Sequence, residues 1–196
     1  MQLSKIGGGV AVNLSKVRGR GEAIKGVEGA AKGIMPVLKL MEDAFSYADQ
    51  MGQRKGSGAG YYNIFGWDVI EFLDCKKINA DEKSRIKTLS IGLIIPNKFY
   101  QLAAENKPLH VFGPHSVQVA YGQHLDDMDM DVMYDELVAN DKVRKKVVMS
   151  ARDMMTKIAS IQLESGYPYI MNKSNANRVH ALKDIGSVKM SNLCTE

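Results

Sequence analysis

At 196 residues and 21.6 kDa the chain suits one domain of ordinary size and not two large ones. Hydrophobic residues at 45%, charged residues at 24% and aromatics at 7% are ordinary for a packed globular protein, which excludes wholesale disorder, collagen-like repeats and coiled coils. The net charge of +4 is spread along the chain instead of being massed in an arm, so nucleic acid is not an expected partner.

Met1 to Val12 lacks a signal peptide's order of charged, apolar and small residues. The longest apolar stretches, such as Leu89 to Pro96, fall short of the roughly 20 residues a membrane helix needs. A cytoplasmic protein with no membrane partner is expected. Glycines crowd residues 7 to 33, as where backbone must turn tightly or approach something closely. Within them Val10 to Leu14 has the length and character of a strand, and Lys16 to Lys25 reads as a basic, mobile loop. From Met35 to Tyr47 apolar residues recur at helical spacing, with Pro36 acceptable in the first turn.

Gln50 to Gly60, QMGQRKGSGAG, reads as a flexible loop leading into a strand at Ala59 to Ile64. Trp67 to Asp74 returns to helical spacing. Ser90 to Ile95 is apolar on both faces and is followed by Pro96, the pattern of a buried parallel strand. Asn97 to Asn106 predicts a short helix and Leu109 to Phe112 a strand. Met133 to Glu164 carries one long helical pattern stopped by Gly166 and Pro168. Tyr167 to Met171 predicts a further strand. Strands alternating with helices imply crossover units and a mainly parallel sheet, open or closed. The run Asp126 to Asp131 lacks the central glycine and terminal glutamate of a calcium loop and reads as a solvated acidic turn.

Two cysteines, Cys75 and Cys194, are too few for a disulfide scaffold and too far apart for a metal knuckle. Asn192, Cys194 and Glu196 alternate along NLCTE, so an extended backbone would point an amide, a thiol and a carboxylate to one face. A neighbouring carboxylate disfavours a thiolate but is no obstacle to hydrogen-atom chemistry, because a thiyl radical is neutral. The residue types alone favour a packed structural cysteine near the chain terminus. His110, His115, His124 and His180 show no metal-ligand spacing, so no metal is expected.

NLCTE, preceded by GYPYIMN and His180, resembles the active-site strand of the large catalytic subunit of class I ribonucleotide reductases. GGGVAVNLSKVRGRGEAIKG, QMGQRKGSGAGYYNIFGWDVIEFLD, LSIGLIIPNKFY and FGPHSV are similar too, in the same order, and the detail is nearest to class Ib. The resemblance covers essentially the whole chain. It implies an α/β fold, roughly the first half of a ten-stranded α/β barrel, with residues 1–196 forming a single segment that is incomplete at both ends. A half barrel would leave strand edges open, which predicts association with the missing segments.

The resemblance also implies the chemistry. Cys194 would become the thiyl radical that removes the 3'-hydrogen of a ribonucleoside diphosphate, and Glu196 would take the 3'-hydroxyl proton. Asn192 would hold the ribose hydroxyls, with Gly9, Leu193 and Thr195 completing the substrate site. Arg18 and Lys25 match positions that hold the phosphates of a deoxynucleotide or ATP effector; otherwise they would be solvated surface cations. The loop with Gln50, Arg54, Lys55 and Gly56 resembles the segment that passes between effector and substrate and selects the base; otherwise it would be an ordinary surface loop. Cys75 matches no redox position and is assigned to packing. The implied partners are a radical-generating small subunit with a dimetal centre, the remaining segments of the large subunit, and a second large subunit in a homodimer. An inactive remnant that retains only effector binding is the alternative.

Overall fold

The computed structural model describes residues 2–48, 52 and 56–194. After a short helix α1 (Gln2–Lys5), strand β1 (Val10–Asn13) leads through a long loop to α2 (Met35–Tyr47). Then follow β2 (Gly58–Asn63), α3 (Val69–Asp74), β3 (Ser90–Ile95) and α4 (Asn97–Ala104). Strand β4 (Pro108–Phe112), α5 (Pro114–Tyr121), a 3-10 turn, α6 (Met130–Ala139), β5 (Lys145–Ser150), α7 (Ala151–Ser165), β6 (Tyr169–Asn172) and α8 (Lys173–Val179) complete the order. Four strands form one parallel sheet in the order β1-β2-β3-β6, and β4 pairs antiparallel with β5.

Every residue of β2 and β3 is buried, because the sheet is covered on both faces. The larger core holds Leu38, Tyr62, Phe65, Phe72, Leu93 and Phe99 among its fully or nearly fully buried side chains. The opposite face carries a smaller cluster of Ala59, Tyr61, Ile94 and Met171, flanked by Ala11, Val188, Met190 and Leu193. Small residues on that face leave room for the chain after α8 to lie against it. Among the described residues no helix is long and apolar enough to cross a membrane.

Two sequence expectations need correction. The continuous helical pattern from Met133 to Glu164 is divided into α6, β5 and α7. Lys145 to Ser150 pairs with β4 instead, where Leu109, Val111 and Phe112 offer a buried strand edge. Helix α7 then starts afresh at Ser150, whose hydroxyl accepts the Asp153 N–H at 3.0 Å and donates to the Asp153 carboxylate at 2.8 Å. That Ser-x-x-Asp pair is the local signal for a new helix start inside the run.

The acidic run is not a solvated turn throughout. Asp126 is 1% exposed and accepts the side-chain amides of Asn13 and Asn63, which stand at the carboxyl ends of β1 and β2. Lys173, directly after β6, donates to the Asp126 carbonyl and lies 3.6 Å from its carboxylate. Asp127 pairs with Lys16 and Lys189, Asp129 caps α6, and Asp131 accepts the Lys98 N–H and the Ser174 hydroxyl. Parallel strands end together, so their polar end residues can share one buried carboxylate.

A second buried carboxylate ties α2 to the segment that enters β3. Glu42, 5% exposed, accepts the N–H groups of Lys87 and Thr88, each at 2.6 Å, and pairs with Lys39 at 2.9 Å. Burial alone would raise this carboxyl, but the two amides and the Lys39 ammonium overcome it and hold it down at about 2 against an ordinary 4.5. A depressed carboxyl contributes stability that is present above the unfolded value and is lost as pH falls through about 2. Glu42→Gln is therefore expected to cost about 2–3 kcal/mol at pH 7. Denaturant unfolding at several pH values should show the variant and the parent converging as pH falls from 4.5 towards 2.

Candidate active site

The segment after α8 has no strand of its own, and side chains fix it against the sheet. Asn177 accepts the Val188 N–H at 2.6 Å and donates to the Val188 carbonyl at 3.0 Å. Lys189 reaches Asp127 at 3.3 Å. Leu193 packs on the small cluster around Tyr61, whose hydroxyl donates to the Asn192 carbonyl at 2.7 Å. The segment does not stay extended: it bends at Leu193, and the Cys194 N–H turns back to the Asn192 side-chain oxygen at 2.9 Å. This ends with the Cys194 thiol free and exposed.

Gly9 lies beside this bend, and a methyl group there would sit 3.5 Å from Leu193 Cβ and 3.9 Å from Asn192 Nδ2. Gly9, Val10 and Ala11 line an open groove of about 600 Å³ with Leu3, Met190, Ser191 and Asn192. The structure thus brings together Gly9, Asn192 and the approach to Cys194, and adds Ser191 and Met190, which carried no sequence signal. Thr195 and Glu196, and with them the expected facing of Glu196 with Asn192 and Cys194, lie outside the described residues.

The loop with Arg18 and Lys25 is braced instead of loose. Arg18 is half-buried and donates to the Ala23 carbonyl at 2.6 Å, whereas Lys25 stands exposed at a left-handed turn with φ 49°. Buried Glu22 accepts the Gly19 N–H at 2.7 Å and the His115 and Ser116 N–H groups at 3.2 and 3.1 Å, fastening the loop to the start of α5. Asp68, 2% exposed, accepts the Arg20 and Ile34 N–H groups at 3.1 and 3.2 Å and so closes the two ends of the loop. Burial pushes the Asp68 carboxyl up, against the pull of the Arg20 amide. Gly33 has φ +75°, and a methyl group there would fall 2.6 Å from the Asp68 carboxylate, so only glycine fits. Arg144 stacks 3.9 Å above the Trp67 ring and donates to the Arg20 carbonyl at 3.2 Å.

Gln50, Arg54 and Lys55 lie outside the described residues. Gly56 is described, and a methyl group there would come within 2.3 Å of the Ala48 carbonyl oxygen, so glycine lets the chain pass the end of α2. Cys75 is 1% exposed, donates to the Phe72 carbonyl at 3.0 Å, and is pushed up to about 12 by burial, which makes it an unreactive packing residue. Among the described residues no group of His, Cys, Asp and Glu is placed to hold a metal ion.

The four-stranded parallel sheet carries the larger core on one face, and α8 with the segment that leads to Cys194 on the other, an α/β arrangement. The chain belongs to the ribonucleotide reductase barrel-domain family, whose model matches residues 1–196. It is 58% identical over 196 residues to the ribonucleoside-diphosphate reductase subunit alpha of Bacillus subtilis, covering all of this chain and 28% of that protein. It is 57% identical over 194 residues to the corresponding NrdEB subunit alpha of Bacillus phage SPbeta, covering 99% of this chain and 18% of that protein. Against the subunit alpha of Mycoplasma genitalium it is 47% identical over 196 residues, covering 27% of that protein. The chain therefore spans less than a third of the length of the curated relatives it matches.

Proposed function

We propose that these residues form part of the catalytic subunit of a ribonucleoside-diphosphate reductase of the class Ib kind, and that Cys194 carries its radical chemistry. The supporting observation is the exposed thiol of Cys194, held on a fixed bend beside the groove at Gly9 and Asn192. A small subunit with a dimetal centre supplies the oxidising equivalent by which the Cys194 thiol loses its hydrogen atom. The thiyl radical takes the 3'-hydrogen of the ribose, and the Glu196 carboxylate takes the 3'-hydroxyl proton as the 2'-hydroxyl, protonated by one thiol of the cysteine pair that supplies the electrons, leaves as water. Asn192 holds the ribose hydroxyls, Gly9, Leu193 and Thr195 shape the site, and Cys194 returns its hydrogen to the reduced sugar. The two electrons consumed come from a cysteine pair outside these residues, since Cys75 is sealed in the core.

Arg18 and Lys25 hold the phosphates of a deoxynucleotide or ATP effector, and the loop with Gln50, Arg54, Lys55 and Gly56 relays the identity of its base. The enzyme works in the cytoplasm as a dimer of large subunits. A second reading, an effector-binding module without catalysis, is favoured by one observation: Glu22 and Asp68 brace the Arg18–Lys25 loop independently of Cys194. The test uses a complete subunit containing these residues, mixed with its small subunit, a ribonucleoside diphosphate and a dithiol reductant. Deoxynucleotide formation is expected. Effector binding without product would overturn the reductase reading in favour of the second.

A further inference from the structure

A segment without a backbone ladder must find other partners for its polar groups, and whatever supplies them sets where it lies. Between α8 and Cys194 the chain makes its own turns at residues 180–186, and beyond them Asn177 and Tyr61 supply side-chain partners. Asn177 takes both backbone groups of Val188 at once, and Tyr61 takes the carbonyl of Asn192. Tyr61 is fully buried and reaches across the sheet because its register partner on β3 is Gly92. A methyl group at Gly92 would fall 2.3 Å from Tyr61 Cε1, so any side chain there would lift the ring and withdraw its hydroxyl.

We propose that Tyr61 and Asn177 are positioning residues that set the placement of Cys194, two residues beyond the groove wall at Asn192, an inference that rests on the reductase reading. Tyr61 fixes the carbonyl of residue 192, and the turn from the Cys194 N–H to the Asn192 side chain passes that placement two residues on. The same Asn192 side chain faces Gly9, so one hydroxyl registers both the thiol and the substrate wall. Transfer of a hydrogen atom needs the reacting atoms held about 3–3.5 Å apart, and a loosened bend spends less time at that distance.

The test is Tyr61→Phe in the complete subunit, which removes the hydroxyl and keeps the ring over Gly92. Loss of one hydrogen bond is expected to speed amide exchange across residues 188–194 about 3- to 10-fold, with β1, β2 and β3 unchanged. The same variant should lower kcat by a similar factor and leave KM within about twofold. Asn177→Leu should do likewise from the other end, while Asn177→Asp, which keeps the acceptor for the Val188 N–H, should recover part of the rate. Unchanged exchange would overturn the latch, and faster exchange with unchanged kcat would overturn its role in positioning. If the complete parent subunit formed no deoxynucleotide, the reductase reading would fail while the exchange result stood by itself; if Cys194→Ala still reduced nucleotides, the role given to Cys194 would fail.

Discussion

Cys194→Ser in a complete subunit is expected to lower deoxynucleotide formation by a factor on the order of 10⁴ or more, the scale seen when a residue that enters the chemistry itself is removed. Serine is nearly isosteric with cysteine, but its O–H bond is too strong to give up a hydrogen atom to the same oxidant. Effector binding and unfolding should stay close to the parent, because Cys194 is exposed and forms no disulfide among the described residues. Thiol labelling provides the matching control. In the folded protein a maleimide should modify Cys194 and leave Cys75 untouched, since burial pushes the Cys75 thiol up to about 12. Retained turnover in Cys194→Ser would remove the residue from the mechanism.

Asp126→Ala is expected to cost about 3–5 kcal/mol, the scale for removing one partner of a buried charge pair. The carboxylate is the shared acceptor for Asn13 and Asn63, and Lys173 lies against it at 3.6 Å with 11% of its side chain exposed. Truncation would take the carboxylate acceptor from both amides and the counter-charge from the buried ammonium, which would keep only its bond to the residue 126 carbonyl. Burial already draws the Lys173 ammonium down from its ordinary range, and without Asp126 it would fall further. A group whose folded value is depressed in this direction penalises the folded state most while it is charged. The deficit should therefore be largest at neutral pH and shrink as pH rises to where Lys173 sheds its proton. Urea unfolding across that range reads it directly, and a deficit independent of pH would show that Lys173 is not part of the loss. Asp126→Asn keeps the shape and one acceptor and should cost less.

Much of the fold was legible because its signals are local. Apolar periodicity located α2 to the residue, and a run apolar on both faces marked β3 as a buried parallel strand. The same local logic failed between Met133 and Glu164. Lys145 to Ser150 fits a helical pattern as well as a strand, and only the open edge of β4, some thirty residues earlier, chooses between them. It failed again at Asp126, whose neighbours in sequence are acidic while its neighbours in space are two asparagines and a lysine from three strand ends.

The candidate site divides in the same way. The sequence by itself determined the family and the α/β alternation, and it singled out Gly9, Asn192 and Cys194 as candidates, because these reside in short ordered motifs whose chemistry depends on residue type. Tertiary structure alone decided that Glu22 ties the loop of Arg18 and Lys25 to His115 and Ser116, that Asp68 holds it at Arg20 and Ile34, and that Tyr61 reaches Asn192 across Gly92. Each of those is a contact between residues far apart along the chain. Their partners are fixed by strand register and by which face of the sheet a side chain leaves, and no local pattern encodes either.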